Sequence, residues 1–204
     1  MDAADWDARY AAAPLVWSAG PNAFVERDLA HLPPGRALDL ACGEGRNARW
    51  LASLGWHVTA LDWSPVAVGK GRRLAEEHDP PLDVEWVVGD VLTAPLPAPL
   101  DLVVVAYLHL PEAERRTALR RAWDALVPGG TFHLVGHDTT NLTEGTGGPQ
   151  DPAVLCSAAD VLDDLADAEV EVVHADRVTR TVAAPDGHGD AGTAYDALVH
   201  LRRR

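Results

Sequence analysis

Three carboxylates lie within or directly after short apolar runs of the chain, and a glycine-rich segment follows the first of these runs. Asp39 lies within the run 37–41, which leads into Cys42-Gly43-Glu44-Gly45, whereas Asp62 and Asp90 follow the next two runs. Glycine lets the backbone turn sharply and approach a ligand without a Cβ in the way. Carboxylates accept hydrogen bonds from hydroxyl, amine and ammonium groups. The spacing therefore indicates a site for a ligand that carries several donors and a positive charge.

Short apolar runs alternate with helical patterns along most of the chain. Strands are expected at 37–41, 57–61, 84–88, 100–106 and 131–136. Helices are expected at about 46–54, 65–78, 111–126 and 157–167. This alternation is typical of a mostly parallel α/β sheet, in which ligands bind beyond the carboxyl ends of the strands. The three acids are therefore expected at one edge of one sheet.

Three later segments depart from the alternation. The proline-rich segment 93–99 predicts an extended loop in place of a crossover helix. Residues 138–152, rich in glycine and threonine, predict a long loop, and long loops in compact domains are often functional. The last two strands are expected at 170–175 and 193–201. Because a turn at Pro185-Asp186-Gly187 joins them, they must run antiparallel to one another.

The type of ligand follows from what the acids exclude. A dinucleotide carries a pyrophosphate, which binds amides at a helix N-terminus and tolerates few acids nearby. The phosphate-binding pattern Gly-x-Gly-x-x-Gly is also incomplete, because Ala48 stands in the third position after Gly43 and Gly45. Adenosylmethionine instead carries an ammonium, a sulfonium, ribose hydroxyls and an adenine amine. Because these groups are donors or positively charged, adenosylmethionine is a better ligand for a set of carboxylates than a dinucleotide is.

Each acid has a natural partner on adenosylmethionine. Asp39 suits the ammonium group, directly or through water. Asp62 suits the ribose hydroxyls, as an acid at this position does in dinucleotide sites. Asp90 accepts a hydrogen bond from the adenine amine, while Val91 and Trp63 flank the ring. A single aspartate at a strand end is more often a turn or cap residue. The prediction of an adenosylmethionine site therefore depends on all three acids occurring in this order together with the glycine loop.

The chain resembles the class I adenosylmethionine-dependent methyltransferases. Residues 38–47 and 58–62 are similar to motifs one and two of that family, and 126–130 are similar to its turn before the fifth strand. More narrowly, Gly45-Arg46-Asn47 resembles the tellurite-resistance and thiopurine methyltransferase branch. The segment from Trp6 to Trp17 resembles the aromatic N-terminal segment of that branch, which closes over the cofactor. Ala41 replaces the first glycine that many members have at this position.

The resemblance implies a Rossmann-like, seven-stranded mixed sheet with strand order 3-2-1-4-5-7-6, strand 7 antiparallel and helices on both faces. We expect one domain over 1–204, a helical and aromatic N-terminal lid over 1–31, and an acceptor-side loop over 138–152. The expected cofactor-binding residues are Asp39, Ala41, Cys42, Gly43, Gly45, Arg46, Asn47, Asp62, Trp63, Asp90, Val91, Ala106, Trp6, Tyr10 and Trp17. The aromatic residues among them would attract a sulfonium through cation–π interaction, or would simply pack an amphipathic helix.

Methyl transfer from a sulfonium is an in-line displacement in which proximity and alignment supply most of the catalysis. A soft sulfur, selenium or tellurium nucleophile needs no base, whereas oxygen or nitrogen needs a group that takes its proton. His109 and His137 follow the fourth and fifth strands and are the candidate acceptor-side residues, with Asp138 next to the second. Each histidine is either a substrate partner or an ordinary loop residue. We expect no metal at this cluster.

The composition of the chain limits the partners and the compartment that can be expected. The chain has 204 residues and a formal net charge of −14, which argues against binding to a phosphate backbone. No stretch approaches the ~20 apolar residues of a membrane span. Two distant cysteines and the lack of a secretion signal favour the cytoplasm. We expect a small-molecule acceptor and a monomer or homodimer. The alternatives are a catalytically silent cofactor-binding protein and a nicotinamide-dependent oxidoreductase.

Overall fold

Strands and helices alternate in the computed structural model, which describes residues 3–182 and 192–204. The strands are β1 (Arg36–Leu40), β2 (His57–Asp62), β3 (Val84–Val88), β4 (Leu100–Ala106), β5 (Leu126–His137), β6 (Val170–Val182) and β7 (Gly192–Arg203). The helices are α1 (Ala3–Ala11), α2 (Ala23–Leu29), α3 (Arg46–Ser53), α4 (Pro65–Glu76), α5 (Glu112–Asp124), α6 (Asn141–Glu144) and α7 (Ala158–Asp164). The turn predicted at Pro185-Asp186-Gly187 lies outside the described residues.

The seven strands form one sheet in the order β3-β2-β1-β4-β5-β7-β6. The pairs from β3 through β5 are parallel, whereas β7 runs antiparallel to both β5 and β6. This confirms the predicted strand order and the antiparallel seventh strand. The carboxyl ends of β1, β2, β4 and β5 therefore lie at one edge of the sheet.

The central strands are buried on both faces, as parallel strands covered by helices must be. Leu38 and Leu40 of β1 pack with α5 and α7, whereas Ala37 of the same strand packs with α2 and α3. Alternate residues of a strand point to opposite faces, so the two apolar clusters lie on opposite sides of the sheet. The sheet edge that carries the acids is thus held between two packed layers.

Side-chain caps define where three of the helices begin. The Ser64 hydroxyl accepts from the Ala67 amide at the start of α4, and Pro65 occupies the first turn, as the sequence predicted. Ser157 and Asp160 form a reciprocal capping box at α7. Asn22 caps α2 through the amides of Phe24 and Val25. These caps fix the entry of each helix relative to the strand before it.

Several boundaries differ from the prediction, and the last two strands, expected at 170–175 and 193–201, extend over Val170–Val182 and Gly192–Arg203. The fifth strand was expected at 131–136 but begins at Leu126, because Leu126 pairs with Leu100 and the register then shifts before Thr131. The helix before it accordingly ends at Asp124. The segment 138–152, expected to be a loop throughout, contains the short helix α6. Residues 89–99 hold no helix, as their prolines predicted.

Within residues 3–182 and 192–204, none of the helices combines the length and the apolar character needed to cross a bilayer.

Candidate cofactor and acceptor site

The loop after β1 turns through three residues with left-handed backbone conformation. The φ angles are 59° at Ala41, 56° at Gly43 and 67° at Gly45, which is also the N-cap of α3. The Cys42 amide donates to the Leu61 carbonyl at 3.0 Å and ties this loop to β2. The positive φ angles explain why the sequence uses glycine here, since glycine adopts them at little cost.

Ala41 occupies a conformation that favours glycine, so Ala41→Gly is expected to stabilise the protein by up to ~1 kcal/mol. The left-handed region costs alanine about 1–2 kcal/mol, and the larger entropy that glycine loses on folding offsets part of the gain. Urea unfolding would measure the change. Ala37→Gly, in the regular part of β1, is the matched control and should destabilise. A lower stability of the Ala41 variant would contradict this explanation.

Asp39 of β1 is a buried acid with one unpartnered oxygen. Its side chain is buried, and its Oδ2 accepts from the Ala48 amide at 3.0 Å. No described residue donates to Oδ1. Burial raises the pKa of Asp39 to about 7, although the Ala48 hydrogen bond and the charge of Arg46 oppose the shift. A buried orphan oxygen is costly, and an ammonium group on a ligand would supply both the missing donor and the compensating charge.

Asp62, the last residue of β2, lies at the same edge. Its Oδ2 accepts from the Gly43 amide at 2.8 Å, and its Oδ1 accepts from the Ser64 amide at 2.9 Å. Burial raises its pKa, and these two amide bonds oppose the rise. Each carboxylate oxygen keeps a further lone pair that can accept from a ribose hydroxyl. Asp39 and Asp62 also act on each other electrostatically, so the structure brings these two predicted acids together.

The third acid differs from the first two. Asp90 is exposed, and its Oδ1 accepts from the Leu92 amide at 2.8 Å, so it caps the turn after β3. Val91 beside it is buried in the core, whereas Trp63 is 37% exposed after β2. Ala106 ends β4 and packs against a core cluster. Contact of these residues with an adenine ring stays a prediction.

The N-terminal aromatic residues come together over the glycine loop. Trp6 stacks on Tyr10 with ring centroids 5.6 Å apart, and the Trp17 indole donates to the Tyr10 hydroxyl at 3.4 Å. A Cβ on Gly43 would lie 2.7 Å from that hydroxyl. The Arg9 guanidinium lies 5.1 Å from the ring centroids of both tryptophans. The predicted lid residues therefore form one cluster directly against the candidate cofactor loop.

Glu44, which the sequence reasoning passed over, holds this segment in place. It lies between the two loop glycines and is buried. Its Oε2 accepts from the Val16 amide at 2.9 Å and from the Trp17 amide at 3.3 Å. Its Oε1 lies 3.3 Å from the Lys70 ammonium. The middle residue of the glycine loop thus fixes the chain that covers that loop.

Lys70 of α4 completes this contact and is the only lysine of the chain. Its ammonium donates to the carbonyls of Tyr10 and Ala13 as well as to Glu44. A lone lysine in a chain with sixteen arginines is a signal that could have drawn attention to this position. Together, Glu44 and Lys70 connect α4, the glycine loop and the N-terminal segment.

The Trp86 side chain fills the space between the glycine loop and α4. A Cβ on Gly45 or on Gly71 would collide with its ring. Gly71 lies in α4, where glycine is otherwise unfavourable. Close packing of the two elements therefore depends on both glycines.

Gly71→Ala is expected to lower the free energy of unfolding by about 1–3 kcal/mol, the usual cost of overpacking. Its Cβ would meet Trp86 and would lie 2.9 Å from the Glu44 carbonyl oxygen. Gly69 of the same helix is the matched control, because only the Arg73 guanidinium lies near it, at 3.9 Å. Gly69→Ala should stabilise by about 1 kcal/mol through helix propensity. Urea unfolding that gives both variants the same sign would contradict this packing.

Arg46 and Asn47, at the start of α3, contact the N-terminal segment. Arg46 donates to the Ser18 hydroxyl at 3.0 Å, and burial lowers its pKa. Asn47 is buried, and its Oδ1 accepts from the Asn22 amide at 2.9 Å. The structure therefore gives Asn47 an anchoring contact with the N-cap of α2. Contact of either residue with the cofactor stays a prediction.

Beyond β4 and β5, the predicted acceptor-side histidines lie against each other. The rings of His109 and His137 stack with centroids 5.4 Å apart and an interplanar angle of 11°. The Tyr107 ring lies 5.0 Å from His137. Burial, followed by the neighbouring His137, lowers the pKa of His109 to about 4. The structure thus brings both residues together and keeps His109 neutral near pH 7.

Asp196 of β7 and Arg180 of β6 lie beside these residues, and neither was predicted. We call Tyr107, His109, His137, Arg180 and Asp196 the acceptor-side cluster. Asp196 is buried, and its Oδ2 accepts from Arg180 Nε at 2.7 Å and from the Tyr107 hydroxyl at 3.0 Å. Its Oδ1 lies 3.2 Å from His137 Nδ1. Burial and then Asp196 raise the pKa of Tyr107 to about 12. Burial alone would raise the pKa of Asp196, but His137 and Arg180 hold it below its usual value.

The segment 138–152 is fixed to the sheet and covers His137. The Asn141 side chain accepts from the Tyr195 amide at 2.8 Å and donates to the Gly147 carbonyl at 2.9 Å. A Cβ on Gly148 would lie 2.8 Å from Cδ2 and 2.9 Å from Nε2 of His137. Asp138 accepts from the Thr140 amide and hydroxyl, so its carboxylate stabilises the turn that starts the segment.

Residues 37–130 match a protein family described as a methyltransferase domain. The matched segment contains the glycine loop, both buried acids and, of the acceptor-side cluster, Tyr107 and His109. The chain therefore contains a methyltransferase domain at residues 37–130. Its sequence is 37% identical over 110 residues to a protein of Mycobacterium tuberculosis named as an uncharacterized methyltransferase. That alignment covers 53% of each chain, so the chain spans about half the length of the curated relatives it matches.

Two solved structures share the fold of this methyltransferase domain. NodS from Bradyrhizobium japonicum, an N-methyltransferase in complex with S-adenosyl-L-homocysteine, gives a TM-score of 0.73 at 19% identity, covering 100% of this chain and 99% of that chain. TehB from Haemophilus influenzae gives a TM-score of 0.75 at 17% identity, covering 90% of this chain and 63% of that chain. At these identities the likeness establishes a shared fold.

Proposed function

We propose that the protein transfers the methyl group of adenosylmethionine to a small-molecule acceptor. The observation that carries this proposal is the pair of buried carboxylates at the glycine loop. Asp39 has an orphan oxygen where an ammonium would compensate it, and Asp62 lies beside it with free lone pairs for a ribose. A cationic, hydroxyl-bearing ligand satisfies both acids, whereas a pyrophosphate would be repelled by them.

The residues of the chain supply binding and alignment. Asp39 holds the ammonium group of the cofactor and Asp62 holds its ribose, and Tyr10 with Trp17 covers the loop between the two acids. Adenosylmethionine supplies an activated methyl group on a sulfonium. The protein then needs to hold the acceptor in line with that methyl and to exclude water. The N-terminal segment and the segment 138–152 form the two covers over the sheet edge.

A small acceptor fits the enclosed character of this edge. Within the acceptor-side cluster, His137 and Asp196 are buried, and Gly148 packs against the His137 ring. Such an enclosed site suits a small molecule better than a macromolecular surface. The net charge of −14 disfavours a nucleic-acid substrate. Free, buried Cys42 and Cys156 suit a reducing cytoplasm, and we propose that the protein acts there as a monomer or homodimer.

An assay that measures the S-adenosylhomocysteine formed from adenosylmethionine in the presence of each of a panel of acceptors would test the proposal. The panel should contain thiols, oxyanions of selenium and tellurium, and phenols, each at several concentrations. We expect turnover with at least one of these classes. Tight binding of adenosylmethionine without turnover on any acceptor would favour a catalytically silent cofactor-binding protein.

A further inference from the structure

The two oxygens of the buried Asp196 carboxylate have different partners, and one of them faces His137. Arg180 and Tyr107 both bind Oδ2 of this side chain. Oδ1 receives no aligned hydrogen bond and faces His137 Nδ1 at 3.2 Å. Burying a carboxylate is costly, and simple packing of β6 on β7 does not require one. The arrangement therefore indicates a role for the oxygen that faces the imidazole.

A carboxylate at Nδ1 determines the chemistry of the other ring nitrogen. The Nδ1–H tautomer of His137 satisfies Asp196 Oδ1, which leaves the lone pair on Nε2. Long or poorly aligned hydrogen bonds of this kind are common in unliganded sites and tighten when the substrate binds. The parallel ring of His109, stacked on His137, restricts the plane of the imidazole.

His109 itself lacks the features of a base. Its Nε2 is buried without a partner among the described residues, and Asp196 acts on it only through its charge. The ionisable groups around His137 are Tyr107, His109 and Asp196, which lie against its ring, and Arg115 and Cys156, which line the same cavity. Asp138 is its neighbour in the chain, and Arg180 binds Asp196. Of these, Asp196 is the carboxylate in contact with the ring and the one that can stabilise an imidazolium at this position.

We propose that His137 is the general base of the transfer, that Asp196 positions it, and that the acceptor is a neutral hydroxyl compound. This inference rests on the proposed function. The acceptor O–H proton passes to His137 Nε2 while the oxygen lone pair forms the bond to the methyl carbon. The carbon–sulfur bond breaks, and its electron pair stays on sulfur, giving neutral S-adenosylhomocysteine. The proton later leaves the imidazolium for water.

The presence of the base favours a hydroxyl acceptor over a soft sulfur, selenium or tellurium nucleophile. A thiolate or a selenium or tellurium oxyanion already carries the electron pair that attacks, so it gains nothing from a proton acceptor. A phenol or an alcohol loses its proton during the transfer, and general-base assistance is typically worth ~10²–10⁴ in rate. The Nε2 edge of His137 faces Gly148, so binding of the acceptor there requires the glycine-rich segment 145–148 to shift.

The test uses the full chain with saturating adenosylmethionine and three hydroxyl probes, phenol, catechol and 4-hydroxybenzoate, against 2-mercaptoethanol and selenite. His137→Asn keeps a donor towards Asp196 and removes the base. It should lower kcat on the hydroxyl probe that is turned over by ~10²–10⁴, with KM and adenosylmethionine affinity changed less than about threefold. The fall of kcat at acidic pH, expected for the wild type, should disappear in this variant.

Asp196→Asn separates a positioning role from a purely structural one. It should lower kcat by up to ~10⁴-fold, because the wrong tautomer of His137 becomes accessible, with little change in KM. In addition, ¹⁵N NMR of the wild-type imidazole should show the Nδ1–H tautomer of His137. His174→Asn, at an exposed position of β6, is the matched control and should leave kcat unchanged.

Several outcomes would overturn the inference. These are wild-type turnover by His137→Asn, an Nε2–H tautomer, or a wild type that binds adenosylmethionine but methylates no hydroxyl probe. Turnover of 2-mercaptoethanol or selenite alone would leave the proposed function standing and reject only the hydroxyl acceptor. A wild type that does not bind adenosylmethionine at all would contradict the proposed function itself.

Discussion

Asp62→Ala is expected to weaken adenosylmethionine binding by about a hundredfold. A hydrogen bond to a charged group contributes about 1.5–3 kcal/mol, and a tenfold change in Kd corresponds to about 1.4 kcal/mol. The substitution removes the proposed ribose contacts and also the carboxylate that accepts from the Gly43 amide. Isothermal titration calorimetry of both proteins with adenosylmethionine would measure the difference.

Two further variants make this result interpretable. Asp62→Asn retains one acceptor oxygen and should lose less affinity than alanine does. Asp83→Ala removes an exposed acid that pairs with His57 at the surface and should bind as the wild type does. An Asp62→Ala protein that is folded by circular dichroism and binds within twofold of the wild type would refute the ribose role.

Lys70→Met is expected to lower the free energy of unfolding by about 3–5 kcal/mol, the usual cost of breaking a buried ion pair from one side. The change leaves the buried Glu44 carboxylate without its cation and the carbonyls of Tyr10 and Ala13 without their donor. Urea unfolding would measure the loss. Trypsin cleavage after Arg9 should also become faster, because the N-terminal segment loses its attachment.

The control variants use the same helix and the same pair. Arg73→Met replaces an exposed cation of α4 and should change stability by less than about 0.5 kcal/mol. Adding Glu44→Gln to Lys70→Met should restore part of the stability, since it removes the uncompensated buried charge. Equal stability of the wild type and Lys70→Met would show that the pair does not hold the segment.

Much of the sheet could be predicted because its signals are local. The apolar run that contains Asp39 and the runs before Asp62 and Asp90 each marked a strand, and the prolines of 93–99 marked a connection without a helix. The early start of β5 could not be predicted in this way. It depends on the pairing of Leu126 with Leu100, which is a contact between distant parts of the chain.

The same distinction applies to the site. The glycine loop and the acids Asp39 and Asp62 were found because strand ends place them at one edge. Asp196 was missed because its position opposite His137 follows from the antiparallel register of β5 and β7. Glu44 was quoted as part of the loop, but its partners, the Val16 amide and Lys70, lie 28 and 26 residues away along the chain.

The central claim is that the two buried acids and the glycine loop bind adenosylmethionine. Calorimetric titration of the wild-type protein with adenosylmethionine and, separately, with NAD tests it most directly. We predict micromolar or tighter binding of adenosylmethionine and no measurable binding of NAD. Micromolar binding of NAD together with no binding of adenosylmethionine would contradict the claim.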